Sequence, residues 1–365
     1  MTPENAAEDQ LHMGRALQLA ARGLYTTDPN PRVGCVLVKE GKVIGEGWHQ
    51  RAGEAHAEVL ALHEAGGAAR GATAYVTLEP CSHTGRTPPC ADALIEARIA
   101  RVCSASTDPN PLVAGAGFKR LKAAGIDVTV GAMAGAARDL NVGFFSRFAR
   151  ARPFVRLKLA MSLDARTSSV GRGPRWISGE AARADVQHWR ARSAAVLTGA
   201  GTVRSDNPRL DVRLAYGDWV RQPLRVVLDP DLRCEPSANI FKDRGALIFA
   251  ASDAAADEGG VQRVQRVPRA AAGVDLNAVM AALQAQEINE LLVECGPRLA
   301  ASFLRARLVD ELILYVAPQF LGAGAAPLAD LGALAPGEAM PAFDFHEVRR
   351  VGADLRILLR PRSAQ

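Results

Sequence analysis

Between His56 and Cys90 the chain carries side chains that could bind a metal and move a proton. The segment runs His56-Ala57-Glu58, a strand-like stretch from Ala72 to Leu78, Glu79-Pro80-Cys81, and then Pro88-Pro89-Cys90. One imidazole and two thiolates make three zinc ligands and leave the fourth tetrahedral position to water, the arrangement of a catalytic site rather than a closed structural one. Glu58 is not needed as a ligand, and it stands where zinc-dependent deaminases keep their proton carrier, in the pattern His-x-Glu followed by Pro-Cys and a second Cys. Zinc lowers the pKa of bound water from about 15.7 toward about 7. Glu58 would take the water proton, hand it to a ring nitrogen, and later protonate departing ammonia.

Secondary elements must bring these groups together. Glu54 to Ala65 has helical character, which puts His56 in a first turn. Pro88-Pro89-Cys90-Ala91-Asp92 opens a helical pattern through Ala100, and a thiol at a helix start ionises more easily. The spacing departs from the short Pro-Cys-x-x-Cys form: the polar insert Ser82-His83-Thr84-Gly85-Arg86-Thr87 predicts a loop over the site. Upstream, a helix over Leu11–Arg22 leads into a turn-rich loop, Tyr25 to Pro31, and then two strands, Gly34–Lys39 and Val43–Trp48, joined at Glu40-Gly41. Asn30, between two prolines, could present its amide to a base edge or be an ordinary turn asparagine. His49 falls at a strand end, with its role open. Downstream come a strand at Val102–Ser106, a helix at Gly117–Ala124, a strand at Ile126–Val130 and a helix at Ala134–Phe148. Such alternation predicts an α/β/α layered domain.

The chain must have room for this and more. Its 365 residues suffice for two domains. A hydrophobic fraction of 48% with 23% charged residues is ordinary for a soluble globular protein. No run approaches the roughly 18 apolar residues that span a bilayer, and Met1 to Gln10 is acidic and polar rather than a signal peptide, so the expected location is cytoplasmic. The net charge of +5 comes from scattered arginines, which suits small phosphorylated ligands better than nucleic acid. Six cysteines in such a protein point to metal binding rather than disulfides. Cys35 and Cys103 sit in strand-like runs as buried small residues; Cys234 is uninformative.

A domain boundary is expected near Arg147 to Pro153, dividing residues 1–150 from 151–365. The second half lacks Gly-x-Gly-x-x-Gly after its first strand, Phe154 to Ala160, so a Rossmann domain is not indicated. Gly199-Ala200-Gly201-Thr202 is a weak match. Glu290-Leu291-Leu292-Val293-Glu294-Cys295-Gly296-Pro297 running into a helix over Arg298–Arg307 is a better one. Free amides and a positive dipole end there suit a phosphate, although a plain strand-to-helix connection reads equally well from the residues. Strands at Leu312–Ala317 and Ile357–Leu359 and a loop from Gln319 to Gly324 complete the half.

Across nearly the whole chain the motifs resemble the bifunctional riboflavin-biosynthesis deaminase-reductases. In the first half these are Asp28-Pro29-Asn30-Pro31-x-Val33-Gly34, Gly53 through Val59, Val76 through His83, and Gly85-Arg86-Thr87-Pro88-Pro89-Cys90. In the second half they are Lys158-x-Ala160-x-Ser162-Leu163-Asp164, Trp176-Ile177-Ser178, Gly201-Thr202-Val203 with Asp206-Asn207-Pro208, Val226 through Asp229, and Val293-Glu294-x-Gly296-Pro297. The resemblance implies an N-terminal cytidine-deaminase-like α/β/α domain and a C-terminal dihydrofolate-reductase-like α/β domain. It implies one Zn2+ per chain and NADPH as cofactors, and a dimer or tetramer as the assembly. The first half would remove the 2-amino group of 2,5-diamino-6-ribosylamino-4(3H)-pyrimidinone 5′-phosphate, a zinc hydrolase step. The second, an NADP-dependent oxidoreductase, would reduce the ribosyl group to give 5-amino-6-ribitylamino-2,4-pyrimidinedione 5′-phosphate.

Residue by residue, the resemblance puts the deaminase substrate on Asn30, Arg86, Asp108 and Asn110, a cation being suited to the ribose phosphate. NADPH would meet Ala160, Trp176, Thr202, Asp206 and the turn formed by Gly296, Pro297, Arg298, Leu299, Ala300, Ala301 and Ser302. The reductase substrate would meet Lys158, Arg190, Leu210, Arg213 and Glu294; a guanidinium can hold a phosphate bidentately. The nicotinamide supplies the hydride, so the protein mainly positions ligands and excludes water. Lys158 and Asp164 are candidate orienting or protonating groups, with a surface salt bridge as the alternative for Asp164. Two positions depart from the family pattern. Ala165 stands where glycine is usual, which matters if the backbone there needs a positive φ, and Pro174 replaces a polar residue. A nucleic-acid deaminase would leave the second half unexplained, and a non-catalytic zinc module would have no use for Glu58.

Overall fold

The structure, a computed structural model, describes residues 3–83, 88–168, 176–214, 220–255, 263–333 and 339–362. Arg86 and Pro174 therefore lie outside the described residues. The chain divides into two compact units, Met1–Ala151 and Arg152–Gln365; no described helix is long and apolar enough to cross a membrane.

In the first unit the order is α1 (Pro3–Ala21), β1 (Gly34–Lys39), β2 (Lys42–Trp48), α2 (Ala57–Ala65), β3 (Thr73–Val76), α3 (Cys90–Glu96), β4 (Arg101–Ser104), α4 (Ala116–Ala123), β5 (Asp127–Val130), α5 (Ala134–Leu140) and α6 (Val142–Ala149). The strands form one sheet in the order β2-β1-β3-β4-β5. Strand β1 is antiparallel to both neighbours, while β3, β4 and β5 run parallel. Successive residues of a strand point to opposite faces. Cys35, Leu37, Ala74, Val76 and Val102 accordingly pack against α2, α3 and α4, whereas Val36, Val38, Tyr75 and Cys103 pack against α1 and α5. The α/β/α layering expected from the alternation is the one observed.

Three expectations need correction. His56 is the N-cap of α2 rather than a residue of its first turn, with an extended backbone (φ −76°, ψ 163°). Helix α3 ends at Glu96 instead of reaching Ala100, because the chain turns through Arg98 at φ +55° to enter β4. The single helix expected over Ala134–Phe148 is two, broken at Asn141. The Asn141 side chain is buried and engages Arg32, accepting from its amide at 2.8 Å and donating to its carbonyl at 2.9 Å.

The second unit contains β6 (Phe154–Met161), β7 (Arg166–Ser168), α7 (Glu180–Arg192), β8 (Ala195–Gly199), α8 (Ala200–Asp206), β9 (Leu224–Leu228), β10 (Leu247–Ala251), β11 (Arg263–Val267), β12 (Arg269–Ala270), β13 (Gly273–Val274), α9 (Leu276–Ala285), β14 (Glu290–Glu294), α10 (Pro297–Arg305), β15 (Glu311–Val316), β16 (Ala326–Pro327), β17 (Phe343–Val351) and β18 (Asp354–Pro361). A nine-stranded sheet runs β11-β10-β9-β8-β14-β6-β15-β18-β17. From β11 to β15 it is parallel; β18 and β17 add an antiparallel edge. Parallel strands buried on both faces read as continuous apolar runs, as Leu291-Leu292-Val293 does. Ala165 lies in the turn between β6 and β7 at φ +56°, donating its amide to the Ser162 carbonyl at 3.1 Å. The backbone there is left-handed, the condition under which a missing glycine matters.

Candidate active sites

The first site is assembled at the ends of α2, β3 and α3. Helix α2 comes close to β2 because Gly47 has no side chain: a Cβ there would stand 2.2 Å from the Ala57 carbonyl oxygen. This packing fixes His56 and Glu58 at one helix start. Cys81 follows β3 after Glu79-Pro80, and Cys90 begins α3, where its amide donates to Cys81 Sγ at 3.3 Å. His56 Nδ1 lies 3.2 Å from Cys90 Sγ and 3.6 Å from Cys81 Sγ, and the three atoms fall within 4.8 Å of one another. A tetrahedral zinc, with Zn–S near about 2.3 Å and Zn–N near about 2.0 Å, keeps such ligands about 3.5 Å apart. The donor set fits.

The electrostatics agree with a cation between the sulfurs. The Cys90 thiol donating to Cys81, with His56 beside it, draws Cys81 down to about 4. Cys90 moves the other way, held protonated by its contact with Cys81 and by burial. Without a cation one proton is shared by two sulfurs; a metal replaces that proton for both. Glu58 is 3% exposed, and burial pushes its carboxyl above the usual range. A raised carboxyl suits a group that must both accept and return a proton.

Around these groups the substrate candidates fall into place unequally. The Asn30 side-chain amide lies 3.0 Å from His49 Nε2, while His49 Nδ1 faces the Ala55 carbonyl at 3.1 Å. Facing a carbonyl, Nδ1 carries the ring proton, so Nε2 accepts from Asn30. Burial lowers the His49 pKa, in keeping with a neutral ring. His49 thus orients Asn30, a role that its isolation in sequence did not reveal. Asp108 is buried and accepts from the Asn110 amide at 2.7 Å; burial, with the charges of Glu79 and Cys81, raises it to about 6. Asn110 Oδ1 caps its own turn, accepting from Leu112 at 3.1 Å. Glu79, within the Val76–His83 motif, is also buried. The one signal for it was a carboxylate at the end of an apolar strand.

In the second unit the candidate residues gather at the carboxyl ends of adjacent strands. Lys158 on β6 is the register partner of Glu294 on β14. Arg190, in the last turn of α7, gives both arms of its guanidinium to Glu294, at 2.6 and 2.9 Å, and bonds the Asp211 carbonyl at 3.2 Å. Its fork is occupied by a carboxylate, so Arg213 is the more open guanidinium; it is exposed and reaches Asp211 Oδ1 at 2.7 Å. Leu210, between them in sequence, is buried at φ +52°. Burial lowers the Lys158 pKa. Burial alone would raise Glu294, yet Arg190, with Lys158 and Arg213, holds it below its ordinary range.

Of the NADPH candidates, Ala160, Thr202 and the Gly296 turn stand at or just past the carboxyl ends of β6, β8 and β14. Helix α10 begins at Pro297 with Gly296 as N-cap, which leaves the Arg298 and Leu299 amides outside the intrahelical ladder. Gly296 faces α8: a Cβ on it would be 3.8 Å from Thr202 Oγ1. Asp206 ends α8, and Ala160 lies on β6. Ala300 and Ala301 are buried against the core, and the Ser302 hydroxyl bonds back to the Arg298 carbonyl at 3.1 Å, so the turn offers backbone more than side chain. Trp176 is 57% exposed with the Arg183 guanidinium 5.5 Å from its ring centroid. Among the described residues Asp164 makes no salt bridge, the surface alternative considered for it. It accepts from Ser162 Oγ at 2.5 Å and from the Leu321 and Gly322 amides at 3.1 and 2.8 Å, which hold it at about 2 and commit it to fixing the loop after β15.

Three side chains placed to hold a metal, beside a buried glutamate on a layered α/β/α sheet, are the arrangement of a zinc-dependent deaminase, to which a second α/β unit is joined. Residues 6–106 match the model of the cytidine and deoxycytidylate deaminase zinc-binding region, and residues 153–357 that of the RibD C-terminal domain. The riboflavin biosynthesis protein RibD of Escherichia coli K12 is 48% identical over 95% of this chain and 98% of that protein; that of Haemophilus influenzae is 44% identical over 99% of each. Acinetobacter baumannii RibD superposes with a TM-score of 0.91 at 43% identity, covering 98% of this chain and 100% of that one. A diaminohydroxyphosphoribosylaminopyrimidine deaminase/5-amino-6-(5-phosphoribosylamino)uracil reductase of Thermotoga maritima superposes at 0.86 with 32% identity, over 98% and 100%.

The chain belongs to the RibD family, bifunctional deaminase-reductases of riboflavin biosynthesis. Its cofactors are the zinc of the deaminase half and the NADPH of the reductase half.

Proposed function

We propose that residues 1–150 deaminate 2,5-diamino-6-ribosylamino-4(3H)-pyrimidinone 5′-phosphate, and that residues 151–365 then reduce the product's ribosyl group to ribityl. The convergence of His56 Nδ1, Cys81 Sγ and Cys90 Sγ beside buried Glu58 carries the first assignment. These three residues would hold the zinc, a Lewis acid that would make water a nucleophile at neutral pH. Glu58 takes the water proton, delivers it to the ring nitrogen, and returns a proton to the departing ammonia. Asn30, Arg86, Asp108 and Asn110 orient the substrate, with Asn30 held by His49.

In the reductase half NADPH supplies the hydride. Ala160, Trp176, Thr202, Asp206 and the turn from Gly296 to Ser302 receive it, the phosphates being favoured by the free amides at the α10 start. Lys158, Arg190, Leu210, Arg213 and Glu294 receive the substrate. Arg213 is the exposed guanidinium suited to its phosphate, while Arg190 and Glu294 form the buried floor under it. Lys158, whose pKa burial lowers, stands beside Glu294 as the group that can release a proton near the reacting carbon.

The enzyme is cytoplasmic and a homo-oligomer, a dimer or tetramer. Phe345 and Val348, 72% and 58% exposed on the edge strand β17, support an assembly that covers that edge. Ammonia release from the diaminopyrimidine ribosyl phosphate, followed in the same sample by NADPH oxidation, tests the two assignments. Both signals in that order are expected; zinc-loaded protein that releases no ammonia overturns the deaminase substrate.

A further inference from the structure

We propose that Glu79 is a positioning residue of the deaminase, a buried carboxylate that ties the substrate loop after β4 to the metal-bearing segment after β3. This rests on the assignment of Asp108 and Asn110 to substrate. Glu79 stands two residues before Cys81 and is 4% exposed. Among the described residues no cation pairs with its carboxylate; it accepts from four backbone amides of the β4–α4 loop and the first turn of α4. Oε2 accepts from Asp108 at 3.2 Å and from Gly115 at 2.9 Å, and Oε1 from Gly117 at 2.9 Å and Phe118 at 3.4 Å. The Glu79 amide in turn donates to the Ser106 carbonyl at 2.9 Å. The loop that presents Asp108 and Asn110 is therefore wrapped around a side chain whose backbone leads directly into a metal ligand.

The neighbouring contacts make the tie short and stiff. A Cβ at Gly117 would lie 2.0 Å from the Pro80 carbonyl oxygen, so the loop rests on the backbone between Glu79 and Cys81. On the surface, Arg120 of α4 bonds Asp92 at 2.6 Å and the Ser82 carbonyl at 3.4 Å, linking the same helix to the residues that follow both cysteines. A substrate whose ring must meet Glu58 while its other groups meet Asp108 and Asn110 needs these two segments at a fixed separation. Effective positioning of this kind is lost when the supporting group moves by about 1 Å. Only an ionised carboxylate offers acceptors to four amides at once; an amide side chain would turn its NH2 toward two of them.

The test uses the full-length, zinc-loaded protein with Glu79→Gln, Glu79→Asp and, in parallel, Asn110→Ala. For Glu79→Gln we expect zinc to remain at one per chain, the Gly115, Gly117 and Phe118 amides to exchange faster with deuterium, and the deaminase KM to rise about tenfold or more with kcat changed much less, the scale set by losing hydrogen bonds to a charged group. Glu79→Asp keeps both oxygens and should recover most of the KM. NADPH oxidation with the deaminated intermediate should not change. Unchanged exchange at those amides, or loss of zinc in step with kcat, overturns the proposal. If exchange quickens while KM is unmoved by both Glu79→Gln and Asn110→Ala, the substrate assignment of the loop fails and the positioning role with it. If Asn110→Ala raises KM and Glu79→Gln does not, the assignment stands and Glu79 is excluded as a positioning residue.

Discussion

The two halves solve the problem of a buried carboxylate in opposite ways. Glu58, in the deaminase half, is pushed up by burial, and among the described residues no guanidinium pairs with it. Glu294, in the reductase half, is gripped by Arg190 with two bonds and held down despite its burial. In the proposed reactions one carboxylate is left poised to exchange protons, and the other is spent on an ion pair beneath the proposed substrate site. Where chemistry is done by the protein's own side chain, stability is given up. Where the cofactor does it, the ionisable groups neutralise one another.

The largest test of this contrast is removal of zinc with a chelator. Ammonia release should fall to background, while NADPH oxidation with the deaminated intermediate stays within about twofold, because the metal ligands all belong to the first unit. Equal loss of both activities would break the contrast. Glu58→Gln, assayed with zinc content measured alongside, should lower the deaminase kcat by about 10²–10⁴-fold and leave the melting temperature unchanged or raised. Burial already disfavours the ionised form of Glu58, so the neutral amide removes a group whose charge the fold does not favour.

Glu294→Gln should do the reverse. It leaves the Arg190 guanidinium buried without its partner, which costs about 3 kcal/mol, read as a loss of denaturant midpoint for the reductase half. Deaminase activity should be untouched. A stable Glu294→Gln protein with normal reductase KM would show that the Arg190 pair is dispensable.

Acidification sharpens the comparison without mutation. Glu294 and Glu311 have lowered folded-state pKa values, so their contribution is present above the ordinary glutamate range and disappears as pH falls through their folded values. Asp108, raised to about 6, behaves oppositely: its contribution is complete below the ordinary aspartate range and is lost as pH rises through about 6. Hydrogen exchange followed separately in the two halves should show the deaminase substrate loop gaining protection from pH 7 to about 5 while the reductase sheet is unchanged, and the reductase sheet losing protection only at lower pH. Parallel loss in both halves would refute the assignment of these groups.

The same difference explains what could be read from the sequence. Metal coordination accepts few residue types, so His56, Cys81 and Cys90 were legible from identity and spacing, and the layered fold from alternating elements. The proposed reductase site draws on backbone amides at a helix start and on pairs far apart in sequence, such as Arg190 with Glu294. No local pattern encodes that pairing, and only family resemblance brought the residues forward. The role of His49 stayed open and Glu79 stood only within a motif for a related reason: their partners, Asn30 and the amides after β4, are set by the fold, and a single histidine or glutamate carries no spacing to recognise. The break at Asn141 was invisible because its cause is Arg32, distant in sequence.

Ala165 is the smallest test and the one in which sequence and structure meet most directly. The family pattern has glycine there, and the backbone is at φ +56°, where a Cβ crowds the following carbonyl at a cost of about 1 kcal/mol. The turn is nevertheless closed, by the Ala165 amide on Ser162 and by its carbonyl accepting from Leu328 at 3.1 Å. The adjoining Asp164 fixes the loop through Leu321 and Gly322. Ala165→Gly relieves the crowding but gives the unfolded chain more freedom, which offsets part of the gain. The expected result is a rise in reductase-half stability of at most about 1 kcal/mol with KM for NADPH unchanged, since the surrounding bonds already impose the turn. A lowered KM for NADPH would mean instead that alanine displaces the β6 end, and that this chain trades cofactor affinity for its departure from the family.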